Sequence, residues 1–104
     1  MKLLRDFQGL EVRLTDERLE HILEHPEMTG RETAIEDTLA SPGHVIESVS
    51  DPEIRLYYRF YGGTVVGDKH LCVVVKLSEN DAFVLTAYLT DSVKRGWRIW
   101  PETE

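Results

Sequence analysis

His21 and His25 stand four residues apart in the stretch His21-Ile22-Leu23-Glu24-His25-Pro26. Imidazoles one helical turn apart can share a metal ion or handle a proton without one. As a string the stretch spells H-x-x-E-H, the inverted zinc-hydrolase motif. Zinc hydrolysis would need Glu24 as its base and a third protein ligand from a second helix, in a domain large enough to close over a peptide. The downstream acids are Glu32, Glu36 and Asp37, and nothing in their spacing turns them toward the pair. At 100° per residue, Leu19, Ile22 and Leu23 centre a buried stripe. Glu17, Glu20 and Glu24 then occupy one flank, while Arg18, His21 and His25 share the other. The metal-free use of the pair is therefore preferred, and neither a metal nor a cofactor is assigned.

A second set of chemically useful residues lies in the segment Ile54 to Tyr61. There Arg55, Tyr57, Arg59 and Tyr61 alternate with Ile54, Leu56, Tyr58 and Phe60, so that a strand would put cations and phenols together on one face. Further along, Thr86 and Tyr88 alternate with Phe83, Leu85, Ala87 and Leu89, and Lys76 shares a face with His70, Cys72 and Val74. If these strands pair in order, Arg55, Tyr57, Arg59, Lys76, Thr86 and Tyr88 gather on one surface. Guanidinium and ammonium groups hold a phosphate, phenol rings stack on unpaired bases, and a threonine hydroxyl donates to an oxyanion. His44 and His70 have weaker claims. The stretch Val93 to Trp100 carries three cations and two tryptophans, read here as a tail docked by its tryptophans rather than as a stacking platform.

The elements that must position these residues are legible in outline. Leu10 to Leu14 alternates as a short strand or arm. Thr15 as N-cap, with Asp16 and Glu17 at the positive end of the dipole, predicts a helix over 16–25 that Pro26 stops. Thr29-Gly30-Arg31-Glu32 reads as a capping box for a second helix that ends before Pro42. The runs His44–Val49, Ile54–Tyr61, Lys69–Leu77 and Ala82–Leu89, separated by turn residues, predict a four-stranded antiparallel meander. The expected fold is α+β, two N-terminal helices packed on one face of that sheet, with the other face left for function.

Composition bounds the partners. The 104 residues suit a single domain, 1–104, with 41% hydrophobic and 30% charged residues and no repeat. Apolar runs are too short for a membrane span, and the N-terminus lacks a signal peptide's apolar core, so a cytoplasmic location is expected. The lone Cys72, within LCVVV, is expected to be a buried small residue. A net charge of -7 opposes polyanion binding in general. It is unevenly spread: residues 1–54 carry a net -8 and residues 55–98 a net +3.

Three patches, RLTDERLEHILEHPEM, IRLYYRFY leading into HLCVVVK, and FVLTAYLTD, lie between residues 13 and 91. Together with the order of elements they resemble the phage-associated branch of the barnase, EndoU, colicin and RelE-like (BECR) nuclease superfamily. The resemblance implies a small RelE/barnase-like α+β domain acting as a metal-independent RNase toxin, with RNA as substrate and an antitoxin or immunity protein as partner. It places the helix histidine at His21, with His25 beside it, the basic strand at Arg55, Tyr57 and Arg59, and the last-strand threonine at Thr86. The expected mechanism is cleavage by internal transfer. His21 or His25 takes the 2′-hydroxyl proton, Arg55 or Arg59 steadies the developing charge, Thr86 binds a non-bridging oxygen, and Tyr57 or Tyr88 stacks on a flanking base or protonates the leaving oxygen, with Lys76 as a further phosphate contact. A non-catalytic binding module for a protein or nucleic acid is the alternative.

Overall fold

The computed structural model describes residues 1–102. Strands β1 (Lys2–Arg5) and β2 (Glu11–Leu14) precede helix α1 (Asp16–Leu23), a 3₁₀ turn (Pro26–Met28) and helix α2 (Glu32–Ala40). Strands β3 (His44–Glu47), β4 (Ile54–Thr64), β5 (Gly67–Ser78), β6 (Asp81–Thr90) and β7 (Trp97–Trp100) follow. Thr15 caps α1 by accepting the Arg18 N–H at 3.2 Å, and Ile22 is buried beneath it. The expected capping box does not form. Gly30 sits at φ 76°, in the left-handed region that favours glycine, so the chain is still turning there, and α2 starts after Arg31 with no side-chain cap.

The expected two helices on a four-stranded antiparallel sheet are overturned by a seven-stranded mixed sheet in the order β1-β2-β6-β5-β4-β3-β7. β2 runs parallel to β6, with Arg13 opposite Phe83. The other neighbours are antiparallel. The added edge strands β1 and β7 have four residues each, too short for periodicity to announce them, and their order comes from pairing with β2 and β3.

The sheet curls around α2, which touches β1, β4 and β5. Asp6, just beyond β1, reaches the side chains of β4, and the rings of Phe7 and Trp100, from opposite edges, lie 5.5 Å apart. The main core fills this concave side: Val12 and Leu14 of β2, Ile22, Met28, Ile35 and Leu39 of the helical region, and Tyr57, Leu71, Val73, Val75, Val84 and Ala87 of the central strands. A smaller apolar cluster of Ile46, Leu56, Tyr58 and Cys72 lies on the other face, with Val74, Tyr88 and Val93 packed against it.

Candidate nucleic-acid interface

Register decides what each face carries. Tyr57 pairs with Val73 and Val73 with Ala87, whereas Tyr58 pairs with Cys72 and Cys72 with Tyr88. Arg55, Tyr57, Arg59 and Tyr61 therefore face the helices, and Lys76, Thr86 and Tyr88 face away from them. The set expected on one surface is divided between two. In β6 the pairing passes from Val75–Val84 to Val74–Thr86, so Leu85 is an extra residue and the alternation changes phase there. Val84 is inside and Phe83 outside, the reverse of the strict alternation. Arg18 Nη1 donates to the Leu85 carbonyl at 3.2 Å across this bulge.

On the helix side the polar groups hold the fold together. The Asp6 carboxylate, wholly inaccessible, accepts from the Tyr57 hydroxyl at 2.7 Å and from the Gln8 and Leu10 N–H groups at 2.9 Å. Arg55 Nη1 lies 3.8 Å away. Burial first, then donation to Asp6, drives the Tyr57 phenol well above its ordinary pKa. Arg59 Nη1 donates at 2.6 Å to the carbonyl of Ser41, which ends α2 and where a cation meets the negative end of the helix. Arg55, Tyr57 and Arg59 are thus structural. Lys76, on the opposite face, lies 3.1 Å from both Asp51 and Glu53, and hydrogen bonding to those carboxylates raises its pKa.

The helix histidines meet neither group. His21 is 68% exposed and lies 3.6 Å from Glu24, and the two imidazole centroids are 6.5 Å apart. The concavity beside His21 is lined by Arg18 and three carboxylates, Glu17, Glu20 and Glu24, which repel a phosphodiester. α1 packs on β6, two positions from β4 in the sheet, or about 10 Å between strand axes. The expected catalytic constellation of His21, His25, Arg59 and Thr86 is not assembled. Among the described residues no group of three His, Cys, Asp or Glu side chains could hold a metal ion.

A different concentration of cations lies over the open face. The segment after β6 crosses back over the sheet and is pinned at three places. Lys69 pairs with Asp91, the Lys94 N–H donates to the Tyr58 hydroxyl at 3.2 Å, and Gly96 is pressed against β3, where an added Cβ would lie 2.4 Å from Ile46 Cγ2 and 2.6 Å from the Glu47 carbonyl oxygen. Only glycine allows that approach. The strap and β3 enclose a groove lined by His44, Ile46, Val93, Lys94, Arg95, Gly96 and Arg98. His44, Lys94, Arg95 and Arg98 are all exposed. Among the described residues neither Lys94 nor Arg95 has an ion-pair partner. Lys2, Arg13, Arg55, Lys69 and Lys76, by contrast, each face a carboxylate.

Aromatic groups continue this surface. His44 pairs with Tyr58 across β3 and β4, and Phe60, two residues on, pairs with His70. Beneath the strap, burial raises the Tyr58 phenol and pushes that of Tyr88 up to about 12, and the Cys72 thiol beside them is raised for the same reason. These groups stay neutral and uncharged at neutral pH, which leaves charge recognition on this face to the groove. On sequence alone His44 has a weaker claim than His21 and His25, and Val93 to Trp100 is marked as a docking tail. β7 does dock on β3, yet Trp97 remains 67% exposed. The available signal was the cation cluster Lys94-Arg95-Gly96-Trp97-Arg98 in the basic half of an acidic chain.

No helix among the described residues is long and apolar enough to cross a membrane. No protein-family model matches the chain, and no curated protein or solved structure matches it.

Proposed function

We propose that the chain is a binding module for single-stranded RNA, engaged in the cytoplasm along the groove between the strap and β3. The observation that carries this reading is the gathering of His44, Lys94, Arg95 and Arg98 in one concavity of a chain whose net charge is -7. Phosphate binding releases counterions, and each contact to a single strand adds about -0.7 to the slope of log K against log salt concentration. Three or four contacts give a slope of about -2 to -3. The acidic helical half weakens non-specific association and orients the basic face toward the ligand. The BECR resemblance supports RNA over DNA.

The test is fluorescence anisotropy with a labelled unstructured RNA oligomer and the DNA of the same sequence, titrated at several salt concentrations. Replacing both Lys94 and Arg95 with alanine is expected to weaken RNA binding at least tenfold at low salt and to flatten the slope by about 1.4, with little change in thermal stability. Absence of wild-type binding at 50 mM salt would sink the reading, and equal affinity for DNA would remove its restriction to RNA.

A second reading, metal-independent RNA cleavage, is favoured by one feature: His44 lies in the groove with the cations, where His21 and His25 do not. Its imidazole would take the 2′-hydroxyl proton. The 2′-oxygen would then attack phosphorus, and the bond to the 5′-oxygen would break, that oxygen regaining a proton and leaving a 2′,3′-cyclic phosphate, with Arg95 opposite the developing charge. A toxin-like activity of this kind calls for an antitoxin or immunity protein as partner. Cleavage in EDTA that His44→Ala abolishes while RNA is still bound would establish this reading. Intact RNA after prolonged incubation would leave the binding module alone.

A further inference from the structure

Phe60 is an unusual residue to leave in water. It is 58% exposed, at the open-face position of a central strand, and it is not loosely placed. Its ring centroid lies 5.5 Å from that of His70 at an interplanar angle of 73°, and His70 in turn lies 6.5 Å from Tyr58 at 83°. The row Tyr58–His70–Phe60 is thus a succession of edge-to-face contacts that fixes the outermost ring before any ligand arrives. Within this row His70 Nδ1 is buried without a hydrogen-bond partner, so its ring serves packing there.

The row is placed where a base would follow a phosphate. His44, on the groove wall, is directly opposite Tyr58, and Phe60 is the next residue outward on the same face of β4. The diagonal separation from His44 to Phe60 is about 7–8 Å between Cα atoms, and the strap meets the same strand face at Tyr58, two residues from Phe60, where the Lys94 N–H donates to the phenol. A preoriented aromatic face beside unpaired cations is the combination that holds unpaired bases: cations follow the backbone, and the ring takes a base of any identity. A duplex hides its base faces in the stack.

We propose that Phe60, braced by His70, is a nucleobase-stacking subsite that restricts the groove to unpaired nucleic acid. The inference rests on the RNA-binding reading and adds to it a base contact separable from the phosphate contacts. Phe60 lies outside the core, so its substitution leaves the fold intact, which circular dichroism and a melting curve verify.

The experiment compares wild type, Phe60→Ala, Phe60→Trp and Lys94→Ala/Arg95→Ala on three probes. These are an unstructured RNA oligomer, an abasic oligomer of the same length and charge, and a blunt RNA duplex. Phe60→Ala is expected to weaken the base-bearing single strand about 10- to 100-fold, leave the abasic oligomer within twofold, and keep the salt slope unchanged. Phe60→Trp is expected to retain affinity, with its fluorescence quenched on binding. If Phe60→Ala binds the base-bearing strand like wild type while the double cation variant is weakened, the subsite is wrong and the groove stands. The same holds if wild type prefers the duplex. If wild type binds none of the probes, the RNA reading itself falls, and with it the subsite; the exposed ring then belongs to a protein contact.

Discussion

Tyr57 and Tyr58 are adjacent, both fully buried, and opposite in what they serve. Tyr57 points to the helix side and donates to Asp6, tying the turn after β1 to the middle of the sheet. Tyr58 points away and accepts from the Lys94 N–H, tying down a strap whose side-chain charges stay in solvent. The chain places arginine beside tyrosine on one face and lysine and arginine over tyrosine on the other. Only the second set is left available. What separates them is the carboxylate supply. Asp6 and the α2 carbonyl end consume Arg55 and Arg59, while no carboxylate of the described residues lies against Lys94 or Arg95. Cationic residues on a strand thus indicate a binding face only once their partners are known.

The strongest way to break this contrast is to remove Asp6. Asp6→Ala leaves the Tyr57 hydroxyl buried without an acceptor, two backbone N–H groups unpaired and Arg55 without its counter-charge. The expected loss is about 3–5 kcal/mol in urea unfolding, a large part of a small domain's stability. Asp6→Asn keeps an acceptor and is expected to lose less. On the other face, Lys94→Ala is expected to stay within about 0.5 kcal/mol of wild type. A strap substitution that destabilised as much as Asp6→Ala would show that the two faces do not divide the work as described.

High pH probes both faces at once. Tyr57 and Tyr58 are raised chiefly by burial, and a phenol in the unfolded chain ionises near 10. Below about pH 10 both states hold the proton and the stability is complete. Above it the unfolded chain releases protons that the native chain retains, so stability falls as pH rises toward the folded values, by about 1.4 kcal/mol per pH unit for each tyrosine. Tyr57→Phe and Tyr58→Phe are each expected to flatten the slope of unfolding free energy against pH between 10 and 11 by about that amount. A change confined to Tyr57→Phe would mean that the strap side opens first and no longer buries Tyr58.

The helices, the β3 to β6 runs and their turns were legible because each is long enough, or punctuated clearly enough, for its period to show. Three things were not. β1 and β7 are too short to carry a period yet extend the sheet at both edges, and the parallel pairing of β2 with β6, which no period announces, makes it mixed. The Leu85 bulge changes which residues of β6 face inward, and no alternation rule contains an extra residue. The faces of β4 were read inversely because the apolar set Ile54, Leu56, Tyr58 and Phe60 is the obvious core side. A second apolar cluster under a returning strap covers it instead, and the buried Asp6 lets the arginine face turn inward. The cation cluster from Lys94 to Arg98 was visible, but its position over His44 depends on Gly96 touching β3, a contact between segments some fifty residues apart in sequence.

The smallest expected effect belongs to the pair that looks most chemical in the sequence. His21 lies on the exposed flank of α1, beside Glu17, Glu20 and Glu24 and over β6 rather than β4, and His25 lies exposed just beyond the helix, at the start of the 3₁₀ turn. Among the described residues, the one contact their imidazoles make to a charged group is His21 to Glu24 at 3.6 Å, between two side chains about two-thirds exposed, and an exposed pair of this kind adds little. Replacing both with alanine is therefore expected to change stability by less than about 0.5 kcal/mol and to leave RNA affinity and any cleavage unchanged, whereas His44→Ala acts on the groove. Loss of either activity in the helix variant, with His44→Ala silent, would reverse the assignment: a phosphodiester would have to be held against three carboxylates, with cations supplied by another molecule.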